Sequence, residues 1–103
     1  MTTIVEIVKF KLREGFTLND FDSIDEKLKT FLNQQEGLLN RTVCFDEKEQ
    51  LYTDIVHWQD QDSANKAQDA YFESSVCAEL GNMVEQSSVV LNHSRILSSL
   101  PVA

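Results

Sequence analysis

Three side chains on strand-like segments have the chemistry to move a proton: Glu6 in "IVEIVKF", Asp54 in "YTDIVHW" and His93 in "VLNHSRIL". Glu6 is flanked on its own face by Ile4 and Val8, where a charge is costly unless it is paired or faces a cavity. A carboxylate in such an apolar wall suits general-base work; pairing with a Lys or Arg, or capping a backbone amide, would account for it equally. Asp54 shares a face with Trp58 and is a second candidate acid, with a salt bridge or solvation as its plainer role. His93 is the third candidate for proton transfer, since imidazole is the side-chain type whose unperturbed ionisation falls near neutrality, unless it serves as a hydrogen-bonded core or interface residue. Trp58, the only tryptophan, stands where a strand hands over to a helix. Its indole can stack on a flat ligand or plug the corner while its N–H reaches a partner. Tyr71, Cys77 and Phe10 are the other candidates for substrate contact, Tyr71 through its phenol. Packing is the alternative role for all of them. Arg95 has the parity of His93 and could hold an anion, whereas His57 lies on the opposite parity from Trp58.

Other chemistries find no pattern here. There is no CxxC, HxH or HExxH, so no metal site is expected, and no D-x-D-x-D-G calcium loop. The three glycines are scattered turn residues rather than a phosphate loop. No cofactor is expected. Nine Lys plus Arg against seventeen Asp plus Glu give a net charge of −8. Such a surface repels phosphate backbones and anionic lipids, which argues against nucleic acid and membrane partners. No segment approaches the roughly 20 apolar residues of a membrane span, and "MTTIVEIVKF" does not read as a signal peptide. Cys44 and Cys77, without other signs of a disulfide framework, read as reduced, buried thiols of a cytoplasmic protein.

The elements that must position these residues follow from periodicity. Residues 4–12 alternate as a strand, with Ile4, Glu6, Val8, Phe10 and Leu12 on one face. After "REGFT", Thr17 is a plausible N-cap, and Phe16 and Phe21 occupy the positions of a hydrophobic staple. Leu18, Phe21, Ile24, Leu28, Phe31 and Leu32 then recur at helical steps, ending near Gly37 as a C′ residue. Strands over 38–45 and 51–58 flank the polar connection "DEKEQ". A second helix starts among Asp60 to Ser63 and carries Ala64, Ala67, Ala70 and Tyr71. Past a possible break at Ser74–Ser75 it continues with Cys77 and Leu80, ending near Gly81. "SSVVLNHSRIL" is the last strand, and Ser98–Ala103 a short tail.

The order β-α-β-β-α-β over residues 1–103 is that of one ferredoxin-like α+β domain, with helices on one face of an antiparallel four-stranded sheet. Both parities of the two central strands are apolar: Val5 and Ile7 oppose Ile4 and Val8, while Leu51 and Ile55 oppose Val56 and Trp58. A sheet wetted on one side should alternate apolar with polar. The second face therefore calls for a cover, and a homodimer joined sheet to sheet supplies it.

Taken together, "VEIVKFKLREG", "YTDIVHWQDQDSANKA" and "SSVVLNHSRIL" resemble the dimeric α/β-barrel superfamily, in its antibiotic-biosynthesis monooxygenase-like branch. The likeness covers nearly the whole chain. It rests on a first strand ending at a Gly turn, a Trp closing strand three, an Ala-rich second helix and the fourth strand. The resemblance implies a dimer, a small pocket between helices and sheet, and cofactor-independent oxygenation of an aromatic or quinol-like compound. The haem-degrading relatives use an Asn on the first strand and a Trp and a His on the second helix. The corresponding positions here are Val8 (Ile7 if the register slips by one), Ala67 and Cys77. A Cys thiolate can ligate haem iron, but the loss of the Asn and the Trp argues against haem degradation.

Three functions fit these expectations. One is a cofactor-independent oxygenase using Glu6, Asp54 or His93 as base. Another is an isomerase or lyase using the same base without oxygen. The third is a non-catalytic ligand-binding or structural protein whose pocket is filled by side chains.

Overall fold

The computed structural model describes residues 3–101; the last two residues of the expected tail, Val102 and Ala103, lie outside the described residues. The elements are β1 (Ile4–Phe10), α1 (Leu18–Asn33), β2 (Leu38–Asp46), β3 (Leu51–Trp58), α2 (Gln61–Phe72), α3 (Ser75–Met83) and β4 (Val90–Arg95). The strands form one sheet in the order β2-β3-β1-β4, every neighbouring pair antiparallel. This is the ferredoxin-like α+β arrangement, with β1 and β3 central.

Each helix begins at a residue that can accept a backbone N–H. Thr17 caps α1 in a reciprocal box with Asp20, whose carboxylate accepts from the Thr17 N–H at 2.8 Å. Asp60 caps α2 by accepting from the Ser63 N–H at 2.8 Å. Ser74 caps α3, accepting from Cys77 N–H while its hydroxyl donates to the Tyr71 carbonyl at 2.6 Å. That double use of Ser74 makes the break between α2 and α3, since one hydroxyl satisfies groups from both helix ends.

Two helix ends differ from the sequence reading. Helix α1 stops at Asn33 with Gln34 as its cap, so Gly37 is not its C′ residue. Gly37 instead turns the chain into β2 at φ +88°, and its carbonyl accepts from the Gln59 N–H at 2.8 Å. A Cβ there would collide with the Ser63 side chain on α2. With both strain and collision acting, Gly37→Ala is expected to destabilise the fold by about 1–3 kcal/mol in denaturant titrations. Gly81 likewise does not end its helix; α3 runs on to Met83. The helix ends where residues 84–85 are captured by the segment after β1. Leu12 bridges Val84, Arg13 N–H donates to the Met83 carbonyl at 2.8 Å, and Glu85 N–H donates to the Lys11 carbonyl at 2.9 Å. The final strand is also shorter than the apolar run, because Gln86–Ser88 form a 3-10 turn before it.

Ile4, Phe10, Tyr52, Val56 and Trp58 on the sheet pack against Phe21, Ile24, Leu28, Ala64 and Leu80 from the helices. Trp58 is only 1% exposed. Phe10 stacks on Tyr52 with ring centroids 5.2 Å apart, and Phe21 and Phe45 each lie 4.7 Å from Tyr52. This aromatic cluster closes one end of the helix layer. On the opposite sheet face Val5, Ile7, Leu51 and Ile55 remain only half-buried. Among the described residues no helix is long and apolar enough to cross a membrane.

Candidate functional site

Between the helices and the sheet lies a cavity of about 290 Å³. Its floor is the helix-facing side of β1 and β3, with Glu6, Val8, Asp54, Val56 and Trp58; α1, α2 and α3 supply Phe31, Tyr71 and Cys77 to its walls. The lining is predominantly apolar, the composition expected of a small-ligand site with a few polar groups fixing orientation. Of the residues singled out from sequence, Glu6, Phe10, Asp54, Trp58, Tyr71 and Cys77 therefore meet at one cavity, and His93, Arg95 and His57 do not line it.

Glu6 is the polar group placed most tellingly. The strand registers bring it opposite His93 on β4, and Glu6 Oε2 lies 2.6 Å from His93 Nε2. Both side chains are nearly enclosed, 15% and 18% exposed. The sequence reading allowed Glu6 a Lys or Arg partner; the partner is the other proton-transfer candidate. His93 itself does not line the cavity and stands behind the carboxylate. A charge-assisted bond of this length holds Glu6 in one orientation at the cavity wall.

Asp54 also reaches the cavity, but both its oxygens are engaged. Arg41 Nε and Nη2 donate to it at 3.0 and 2.9 Å, and Arg41 Nη1 lies 2.8 Å from Asp25 on α1. All three side chains are largely enclosed, with exposures of 8% for Arg41, 13% for Asp25 and 14% for Asp54. Burial alone would lower the Arg41 pKa; the bonds and charges of Asp54 and then Asp25 outweigh it and raise the pKa. Asp54 is thus the salt-bridged residue of its plainer reading, serving as a wall group rather than a free acid.

Tyr71 sits over this floor from α2, its ring 6.0 Å edge-on from Phe31. Burial, then the charge of Cys77 and its hydrogen bond, then the charge of Asp54 push the phenol well above its ordinary pKa. Tyr71 therefore keeps its proton; that single O–H is shared with Cys77 and turns from it to donate to a ligand oxygen. Trp58 departs from expectation: its buried Nε1 has no hydrogen-bond partner among the described residues. Phe10 lines the cavity and also packs against Phe21 and Tyr52; Cys44, expected to be buried, is exposed on β2, and Cys77 is only partly buried. Arg95 is exposed and outside the cavity, and His57 lies on the uncovered sheet face, its buried Nδ1 also unpartnered.

Sequence reasoning missed Arg41. Strict alternation from Leu38 would turn it away from the helices, but a β-bulge between Leu38 and Asn40 shifts the parity and brings it to the helix side. Gln61 was missed as well; it donates from Nε2 toward His93 Nδ1 at 2.8 Å. No group of three or more His, Cys, Asp or Glu placed to hold a metal ion occurs among the described residues.

The chain has the fold of the dimeric ferredoxin-like proteins. Solved structures share this fold across almost the whole chain. SnoaB from Streptomyces nogalater, a cofactor-independent oxygenase, superposes at TM-score 0.66 with 13% identity, covering 99% of this chain and 98% of its own. A protein from Bordetella bronchiseptica, provisionally described as an antibiotic biosynthesis monooxygenase, superposes at 0.77 with 18% identity, covering 95% and 100%. A dimeric ferredoxin-like protein of unknown function from Thermobifida fusca YX superposes at 0.76 with 14% identity, covering 92% of each chain. No family profile matches the sequence, and no curated protein matches it significantly. Identities this low establish a shared fold and leave the activity to be argued from the cavity.

Proposed function

We propose that the chain is a cofactor-independent oxygenase for a small, uncharged aromatic or enolisable compound, with Glu6 as the general base. The observation that carries this reading is the Glu6 carboxylate, held by His93 at the wall of an apolar cavity. A substrate in the cavity would present an acidic C–H or phenolic O–H to Glu6, while Tyr71 donates to a substrate oxygen. Loss of the proton leaves an electron-rich carbanion or phenolate, and apolar walls exclude water from it. Dioxygen is the oxidant: at an activated methylene the balance is CH₂ + O₂ → C=O + H₂O, one oxygen atom entering product and the other leaving as water. The cavity lining includes Glu6 and Asp54 but no Lys or Arg, which disfavours anionic substrates. Its open volume disfavours the alternative in which side chains fill the space. The test is oxygen consumption with a panel of neutral quinols and anthrone-like methylenes, alongside carboxylated analogues. Uptake with a neutral member supports the reading. Uptake with none, or equal uptake with anions, overturns it.

The functional unit in this reading is a homodimer, in the cytoplasm, joined through the uncovered sheet face. Ile7 and Ile55 are directly paired at the centre of that face, and the structurally similar Thermobifida protein is described as dimeric. Burying such side chains contributes about 1.5–3 kcal/mol each. Ile55→Lys is therefore expected to convert a dimer into a monomer in sedimentation velocity at micromolar concentration. A wild-type chain that sediments as a monomer refutes the dimer.

A further inference from the structure

His93 is fixed on both ring nitrogens, and the second contact comes from a residue with no role so far. On one side Nε2 meets Glu6 Oε2 at 2.6 Å. On the other, Nδ1 meets Gln61 Nε2 at 2.8 Å, and the same Gln61 amide nitrogen lies 2.9 Å from Asn65 Oδ1. Gln61 opens α2 directly after its Asp60 cap, so the first turn of the helix holds its amide beside β4. Asn65 stands one turn further along, the i,i+4 spacing at which helix side chains meet.

A neutral imidazole has one donor and one acceptor nitrogen, and the bond made by one decides the role of the other. An NH₂ group can only donate. With one of its hydrogens directed to Asn65 and the other to Nδ1, Nδ1 must be the acceptor and Nε2 must carry the proton. That proton then points at Glu6. The chain of bonds runs in a single direction, Gln61 to His93 to Glu6, and ends on a carboxylate oxygen that accepts.

We propose that Gln61 is a positioning residue that locks His93 in the Nε2–H tautomer, and thereby makes Glu6, not His93, the proton acceptor of the site. This rests on the reading of the cavity as a site of proton abstraction. An imidazole whose Nδ1 already accepts from Gln61 and whose Nε2 already holds a proton has no free lone pair for substrate. Glu6 keeps unshared pairs at the cavity wall. The opposite polarity, with the Gln61 and Asn65 amides both turned, would put the proton on Nδ1. It would then need either a protonated Glu6, which cannot take another proton, or an imidazolium, whose Nδ1–H would require Gln61 Oε1 where Nε2 stands at 2.8 Å.

The experiment is long-range proton–nitrogen NMR of the uniformly ¹⁵N-labelled protein at mildly alkaline pH, with the His93 signals identified by their loss in His93→Gln. The wild type is expected to show a protonated Nε2 and an unprotonated Nδ1. Gln61→Met, similar in length but unable to donate, should admit the Nδ1–H tautomer as a measurable minor form beside the Nε2–H form that the Glu6 carboxylate still favours. Gln61→Glu, which can only accept, should move a proton onto Nδ1. Gln61 is exposed, so both variants are expected to fold, and their backbone spectra check this. A wild-type ring protonated on Nδ1, or a ring pattern unchanged in both folded variants, overturns the proposal. The oxygen-uptake test is read separately: a reversed tautomer alongside Glu6-dependent turnover removes this inference and leaves the function standing. The expected tautomer without turnover on any substrate does the reverse.

Discussion

Replacing Glu6 by Gln is expected to lower the rate of oxygen uptake by about 10²–10⁴-fold, the usual contribution of a positioned general base, while the protein stays folded. The substitution is nearly isosteric. The amide oxygen can still accept from His93 Nε2–H, so the β1–β4 contact at 2.6 Å is kept in kind and only the basicity is lost. The comparison that isolates the chemistry is ligand affinity. If Glu6 acts in proton transfer alone, the variant should bind substrate about as well as the wild type and fail at turnover. His93→Ala should be the milder lesion, since it removes the group that orients the base but leaves the base in the cavity. Full turnover in a folded Glu6→Gln protein would refute the assignment of the base.

The second large effect is on stability. Arg41→Met is expected to cost about 2–4 kcal/mol, measured by chemical denaturation, because it leaves two largely enclosed carboxylates without their shared cation. Arg41 bonds Asp54 through Nε and Nη2 and approaches Asp25 through Nη1, so one guanidinium ties α1 to β2 and β3. The control separates lost packing from stranded charge. Adding Asp25→Asn and Asp54→Asn to Arg41→Met should recover most of the loss, since the neutral amides no longer repel and are cheaper to bury. If the triple variant were no more stable than Arg41→Met, the cost would lie in the missing side-chain volume. Arg41→Lys should fall between, because an ammonium cannot span both carboxylates with the fork that Arg provides.

These predictions concern residues of unequal visibility. Glu6 could be singled out because a lone carboxylate in the run "IVEIVKF" breaks an apolar face. The helices announced themselves through three- and four-residue spacing and through Thr17 and Asp60 at their starts. The order of elements then left the ferredoxin-like sheet, with β1 and β3 central, as the arrangement that buries both. All of that is local patterning repeated over many residues, and such patterning survives in a one-dimensional string.

Pairing does not. Glu6 and His93 are distant in sequence, and their 2.6 Å contact exists because β4 returns beside β1 in one particular register. A slip of one residue would send His93 to the uncovered face. Arg41 reaches Asp54 only through the bulge after Leu38, a single extra residue that no composition marks. Gln61 reads as one more polar residue in a helix's first turn until β4 lies against it. Gly37 and Gly81 show the same limit from the other side: α1 stops at Asn33, before Gly37 is held by Gln59, and α3 runs past Gly81 until residues 11–13 capture the chain. The sequence by itself determined which faces are apolar and in what order the elements come, because burial depends on residue type and period. Tertiary structure alone decided which polar groups meet, because a hydrogen bond depends on tenths of an ångström between strands brought together from opposite ends of the chain.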